Sequence, residues 1–348
     1  DGSLRHPIFA GLREDKKAED EKNERVMKAP PKKETGKKTA IGKKRAVQKR
    51  MKVESAKAAS MVKAREKKGS KNTAPGAETI LSDEKNQEIT LNKHTLTLTN
   101  LDKIYWPKEK ITKGNMIRYY DQAADFIMPY LKDRPQSLNR YPNGIGGESF
   151  YQKNVGNQVP DWMKTYRYKS ESDGKYKQFL VATDKASLIY MANLGCIEMN
   201  PWNSRIQKPD NPDWCVIDID PDKTNTFNQV IEVATKIKTY LDQLKVTAYC
   251  KTSGSTGMHI YIPLAAKYTY DQSRMFAEML VTAVQQELPA ISSIERSLSK
   301  RKGKIYLDFL QNRQIQTIAA PYSLRPKPGA TVSMPLHWEE VKPGLKMS

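Results

Sequence analysis

The sequence predicts a mixed α/β domain, a sheet flanked by helices, behind a long basic segment predicted to be disordered. Three observations lead there. Between residues 88 and 310, apolar β-branched runs of strand length interleave with amphipathic runs of helix length. Residues 17–85 are rich in Lys, Ala, Glu and Ser and hold almost no large apolar side chains, too few to offset chain entropy. The formal net charge is +20, and more than half of that excess lies in the first 75 residues.

The elements follow in order. Ile89, Leu91, Leu96, Leu98 and Leu101 alternate or nearly alternate with polar residues, which predicts short strands. Thr112 to Tyr130 reads as a helix, with Thr112 as N-cap and Met116, Ile117, Tyr120, Ala124 and Ile127 at helical spacing. Gln178 to Met191 joins a strand-like stretch to a helical one that begins near Ser187. Trp214 to Asp220 is an apolar strand stopped by Pro221. Phe227, Val230, Ile231, Ala234, Ile237, Leu241 and Leu244 mark a long amphipathic helix. Strands at Val246–Thr252 and His259–Pro263, a helix from Asp271 to Leu288 and a strand from Lys304 to Leu310 complete the series.

Composition narrows the function. A basic excess of this size points to a polyanionic partner, nucleic acid first and an acidic membrane surface second. No run is long and apolar enough for a transmembrane helix, and no signal peptide is visible, so no membrane role is expected and the expected location is cytoplasmic. Cys196, Cys215 and Cys250 form no C-x-x-C pair and read as small core residues. The basic segment reads either as a solvated spacer or as an arm that tracks DNA phosphates.

The carboxylates carry the chemistry. Side chains alternate along a strand, so Asp218 and Asp220 share one face while Ile217 and Ile219 share the other. Two like charges held together call for a cation. A D-x-D pair alone is more often an acidic strand end. Asp308 lies inside a second apolar strand, where an ionised carboxylate needs a partner or a metal. Between them, Ser253-Gly254-Ser255-Thr256-Gly257-Met258-His259 joins two predicted strands. Its glycines permit close backbone approach, and Ser253, Thr256 and the loop N–H groups can donate to phosphate. Three acids on adjacent strands would hold two hard cations, activate a 3′-hydroxyl and stabilise a transferring phosphoryl group.

The ordered set resembles the primase-like polymerase domain of bacterial DNA ligase D, in the archaeo-eukaryotic primase superfamily. The resemblance covers about residues 90–345. It is carried by Leu101-Asp102-Lys103 with Thr112-Lys113, Arg134-Pro135, Tyr151-Gln152-Lys153-Asn154, Glu198-Met199-Asn200-Pro201-Trp202, Val216 through Pro221, Thr252 through Pro263, Asp308 through Asn312, and Ala320 through Arg325. Residues 5–16, with Arg13-Glu14-Asp15-Lys16, resemble the end of an ATP-dependent DNA ligase domain. The expected domains are therefore a ligase remnant at 1–16, a basic linker at 17–85 and a primase-polymerase fold at 86–348. A start without Met fits a piece of a longer chain, and no ligation is expected of this piece alone.

The resemblance implies roles residue by residue. Asp218, Asp220 and Asp308 would be catalytic and hold two metal ions, Mn²⁺ favoured over Mg²⁺. Ser253, His259 and Arg325 would hold the triphosphate of an NTP or dNTP, with Gln311 and Lys153 near the nucleotide. Arg301 would lie near the third acid and the DNA, Tyr166 would stack a base, and Lys103 and Lys113 would hold a 5′-phosphate. Two positions depart from the family. Asn200 stands where many members have His, and it cannot take a proton near neutral pH, although polar contact to the sugar is retained. Thr256 stands where a Lys often occurs, a loss of about 1–3 kcal/mol in nucleotide binding unless Lys251 or Arg325 compensates. The implied function is extension of DNA 3′ ends in bacterial non-homologous end joining, with ribonucleotides preferred. The implied partners are duplex ends with 3′ overhangs or gaps bearing a 5′-phosphate, the Ku protein, and a ligase domain of the same parent chain. The implied setting is the nucleoid. A two-metal nuclease or phosphoesterase and a non-catalytic DNA-end-binding module are the alternatives.

Overall fold

The computed structural model describes Ser82 and residues 84–156, 159–170 and 174–345. All of them fall in the second of two compact units, Glu78–Ser348. The ligase-like residues 1–16 and the basic linker up to residue 81 lie outside the described residues.

The chain enters through an antiparallel hairpin of β1 (Gln87–Leu91) and β2 (His94–Leu98), then a second of β3 (Ile104–Trp106) and β4 (Ile111–Thr112). Helix α1 (Lys113–Leu131) follows. Thr112 accepts from the Asn115 N–H, and the Asn115 side chain accepts in return from the Thr112 N–H. Strands β5 (Arg134–Gln136), β8 (Thr165–Lys169) and β9 (Tyr176–Ala182) make one three-stranded sheet. Strands β6 (Leu138–Arg140), β7 (Phe150–Gln152) and β10 (Cys196–Glu198) make another. Helix α2 (Lys185–Asn193) lies between β9 and β10 in sequence. It starts earlier than the apolar pattern suggests because Asp184 caps it by accepting from the Ser187 N–H. Leu96, Leu98, Met116, Ile117, Ile127, Leu188 and Ile189 share one buried core that joins α1 and α2 to the first hairpin.

The larger sheet has the order β14 (Ser292–Ser293), β15 (Ile305–Asp308), β11 (Trp214–Asp220), β13 (Met258–Pro263), β12 (Tyr249–Thr252), β16 (Pro335–Leu336). Its pairings are antiparallel except β14 with β15. Helices α3 (Phe227–Gln243) and α4 (Tyr270–Glu287) contribute to the core on one face. Both begin with a Thr cap answered by a Gln three residues on, Thr226 with Gln229 and Thr269 with Gln272. Cys215, Ile217 and Ile219 point into this core with no exposure, and each buried Ile contributes about 1.5–3 kcal/mol. All three cysteines are free thiols buried in cores. No described helix is long and apolar enough to cross a membrane.

Other boundaries also differ from the sequence pattern. The strand expected from Val246 starts at Tyr249: Lys245 takes a left-handed φ of 57°, and the Val246 N–H donates to Leu241 O at 2.8 Å, which closes α3 instead. The strand expected to run to Leu310 ends at Asp308, where a 3₁₀ turn over Leu310–Asn312 begins. Leu101 lies in a turn rather than a strand.

Arg134 ties the smaller sheets to the larger one. Its side chain is 1% exposed, and it donates to the carbonyls of Trp202 at 3.2 Å and Asn203 at 2.6 Å and to Asp213 at 2.5 Å. Arg134→Met removes all three donations, leaving the Asn203 carbonyl with the Asp213 N–H and Asp213 with Arg205. The expected loss is about 3–5 kcal/mol of unfolding free energy, measured by urea titration.

Candidate active site

The site grows from the register of the large sheet. Asp218 on β11 pairs with Asp308 on β15 on one side and with His259 on β13 on the other. His259 pairs in turn with Lys251 on β12. One row across the sheet therefore reads Lys251, His259, Asp218, Asp308. Strand alternation puts this row on the face turned away from Ile217 and Ile219, with Asp220 and Tyr306 one step along on the same face.

Burial, then repulsion from Asp220 and Asp308, pushes the Asp218 carboxyl up to about 7. Burial also raises Asp220, opposed by the Arg301 guanidinium, whose Nη1 lies 3.6 Å from Asp220 Oδ2. Arg301 is fixed by donating to the carbonyls of Glu295 and Arg296, and its guanidinium stacks 3.8 Å from the Tyr306 ring centre. Asp308 is held by its own strand end. Its Oδ1 accepts from the Leu310 N–H at 2.8 Å and the Tyr306 hydroxyl at 3.2 Å, and its Oδ2 accepts from Gln311 Nε2 at 3.2 Å.

Among the described residues no three His, Cys, Asp or Glu side chains converge into a ready metal cage. The reason lies in the contacts just given: Asp308 is turned onto Leu310, Tyr306 and Gln311, and Asp220 faces Arg301. The donor set still fits a hard cation. Three carboxylates share one face, and burial together with the repulsion of Asp220 and Asp308 raises the Asp218 carboxyl, a strain that a divalent ion would relieve.

The loop between β12 and β13 lies beside the acids. Ser253 Oγ accepts from the N–H groups of Ser255 at 3.1 Å and Gly257 at 3.0 Å, so its own proton is free to donate outward. Gly254 has φ +69°, and a side chain there would meet Arg325 Cγ at 2.7 Å. Gly257 packs against the backbone of Ile219, between the two acids of β11. Arg325 Nε lies 2.6 Å from Glu198 Oε2, and its Nη1 donates to the Ser253 carbonyl. His259 Nε2 lies 3.4 Å from Asp218 Oδ1. Ser253, His259 and Arg325 are thus brought to one side of the carboxylates.

A model of the LigD primase-polymerase domain matches residues 112–348. The chain belongs to that family. The bifunctional non-homologous end joining protein LigD of Bacillus subtilis is 35% identical over 251 residues, which is 72% of this chain and 40% of that protein. The multifunctional LigD proteins of Mycolicibacterium smegmatis and Pseudomonas aeruginosa are 29% and 30% identical, over 70% and 68% of this chain and 32% and 28% of their own length. The chain thus spans well under half of these relatives. A solved structure described as the polymerase domain from Mycobacterium tuberculosis Ligase D in complex with DNA aligns with a TM-score of 0.68 at 27% identity, covering 72% of this chain and 90% of that one.

The remaining candidates of this LigD primase-polymerase domain fall in several places. Asn200 is buried and donates to the Glu198 carbonyl at 3.3 Å, close to the Arg325 ion pair. Gln311 reaches the site through Asp308. Thr256 is exposed at the loop tip. Lys153 is half-buried just after β7, and Tyr166 is half-buried on β8 with its ring edge-on to Trp202 at 6.0 Å. Lys251, considered from sequence as a substitute for the absent loop lysine, is 2% exposed, so its charge does not reach the open side of the loop. Glu198 joins the site through Arg325, and its place between the apolar Ile197 and Met199 is the same signal in sequence that marks Asp308.

Lys103 and Lys113 come together away from this row, with the Lys113 N–H donating to Lys103 O at 2.8 Å. Lys113 is buried and donates to Thr99 O and Asn193 Oδ1, both at 2.8 Å. Burial, with repulsion from Lys103 and Arg140, lowers it to about 8. The unfolded chain, with its Lys near 10.4, binds more protons between about pH 8 and 10.4, so this group adds stability as pH rises through that window. Urea unfolding at pH 7.5 and 10 should show wild type gaining relative to Lys113→Met at the higher pH.

Proposed function

We propose that this domain is a DNA-directed nucleotidyltransferase that extends DNA 3′ ends in bacterial non-homologous end joining. The observation that carries the reading is the row of Asp218, Asp308 and His259, with Asp220 one step along and the Ser253–Gly257 loop beside it. Acids alone would suit phosphodiester hydrolysis as well. A donor-rich loop next to His259 and Arg325 suits a triphosphate, which hydrolysis of DNA does not need.

The substrate 3′-hydroxyl attacks the α-phosphate, and pyrophosphate leaves. Asp218, Asp220 and Asp308 would hold two divalent ions, Mn²⁺ or Mg²⁺, which would lower the pKa of the attacking hydroxyl, so that it loses its proton to solvent, and neutralise charge growing on the phosphoryl group. Ser253 donates its hydroxyl proton outward, His259 offers Nε2, and the Arg325 guanidinium, oriented by Glu198, supplies positive charge to the β- and γ-phosphates. Gln311 steadies Asp308 near the nucleotide. Asn200 contacts the sugar, where a ribonucleotide 2′-hydroxyl gives a donor and acceptor to read. Lys153 lies near the nucleotide, Tyr166 stacks a base, and Arg301 approaches the DNA. Lys103 and Lys113 hold the 5′-phosphate of a gap or recessed end, Lys113 through the N–H its two hydrogen bonds leave over. Thr256 adds a neutral contact where a lysine would add charge.

The partners are duplex ends with 3′ overhangs or gaps, Ku, and a ligase domain of the parent chain, and the setting is the bacterial nucleoid. The end-joining names of the relatives and the DNA in the matched structure support this reading. Primer extension on a gapped duplex, with Mn²⁺ and single nucleotides, tests it. Lengthened primer is expected. Shortening would favour a nuclease, and a mobility shift without chemistry a binding module.

A further inference from the structure

Lys251 is a buried lysine that the reaction above leaves unused. Its Nζ lies 2.6 Å from His259 Nδ1 and against Ser333 Oγ, with the Tyr261 ring centre 5.7 Å away. The Ser333 end sets the direction of its hydrogen bond with Lys251. Ser333 gives its only hydroxyl proton to the Thr252 carbonyl at 2.9 Å, and a carbonyl can only accept. Ser333 therefore accepts from Lys251. At the other end His259 Nε2 faces Asp218 Oδ1 at 3.4 Å, while its Nδ1 lies on the far side of the ring, where Lys251 meets it with an N–H. Nε2 then carries the ring proton, Nδ1 is an acceptor, and Lys251 donates to it. These two donations need two N–H bonds. The ammonium has three N–H bonds and no lone pair, so in that form both contacts are donations by Lys251.

We propose that Lys251 is a positioning residue that holds His259 in the Nε2–H tautomer, so that the ring turns one fixed donor toward the phosphates of the incoming nucleotide. The proposal rests on the nucleotidyltransferase reading. It gives a role to a lysine enclosed between Ser333 and His259. The ammonium does not replace the lysine missing at Thr256. It acts through His259, in the way that the far-side partner of an active-site imidazole sets its tautomer.

The test reads the tautomer directly. The chain has 4 histidines, so protein labelled with ¹⁵N at histidine gives a simple long-range ¹H–¹⁵N spectrum, with His259 assigned by its loss in His259→Gln. The 348-residue chain at pH 7 with Mg²⁺ should show a protonated Nε2 and an unprotonated Nδ1 at His259. Lys251→Met should populate both tautomers. It should also raise the KM for a nucleoside triphosphate about tenfold, roughly one lost hydrogen bond, while kcat and DNA affinity hold. A protonated Nδ1 in wild type overturns the proposal, as does a Lys251→Met protein with an unchanged tautomer and unchanged KM. The wild-type spectrum decides by itself if Lys251→Met does not fold. Absence of extension by wild type would count against the polymerase reading, and the tautomer result would stand apart from it.

Discussion

Asp218→Asn is expected to cut primer extension by about 10³-fold or more while leaving DNA affinity nearly unchanged, because it removes the carboxylate at the centre of the proposed catalytic row and, on that proposal, several kcal/mol of transition-state stabilisation. The same change should stabilise the metal-free fold. The folded pKa of Asp218, about 7, lies above the unfolded value near 3.9. The folded state therefore binds its proton more tightly, and that stability is lost as pH rises from about 4 through 7. Asn carries no such cost. In EDTA at pH 7.5 the variant should be more stable than wild type by about 1–2 kcal/mol, a figure discounted for the partial exposure of the side chain. At pH 4 the difference should vanish. Added divalent metal should raise the melting temperature of wild type and not of the variant, since only wild type keeps the full set of ligands. Loss of activity with gain of stability is the pattern of a residue kept for chemistry.

Gly257→Ala is the second large effect. A methyl group at this position collides with the carbonyl oxygen of Ile219 and crowds Ile219 C and Pro221 Cδ, both at 3.1 Å. None of these atoms belongs to a flexible side-chain end. The strand that carries Asp218 and Asp220 must therefore shift, or the loop must lift off it. The expected cost is about 2–4 kcal/mol in urea unfolding, the range of overpacking against rigid neighbours. Activity should fall by more than the stability loss explains, because the displaced backbone lies between the two acids. A displacement of about 1 Å in such a site costs on the order of 10²-fold. Gly156→Ala is the control: it has the same residue type, a φ of +55° and open space around it, so only backbone strain applies. It should lower stability modestly and leave the acids in place.

The site was legible where local rules fix geometry. Alternation along Trp214–Asp220 places both acids on one face, and the strand spans the same residues in the structure. Thr112 as a helix cap is legible because capping depends on neighbours three residues away. The pairing of Asp218 with Asp308 was legible only as adjacency. Its register depends on strand contacts distant in sequence, which no spacing encodes. The two-residue edge strands β14 and β16 carry no periodicity to read. Asp308 was expected within a strand, and its place at the strand end follows from its own side chain, which accepts from the Leu310 N–H and starts the turn. The Lys251 contact with Ser333 spans 82 residues and had no local signal. Glu198 and Arg325, 127 positions apart, meet in the same long-range way.

The central claim is that this carboxylate row transfers a nucleotide rather than cleaving one. The most direct measurement follows pyrophosphate and primer length together, in single turnover, on a gapped duplex with a downstream 5′-phosphate, one ribonucleoside triphosphate and Mn²⁺. One pyrophosphate released per nucleotide added, in wild type and not in Asp218→Asn, is the predicted result. Primer shortening, pyrophosphate release without extension, or undiminished extension by Asp218→Asn would contradict it.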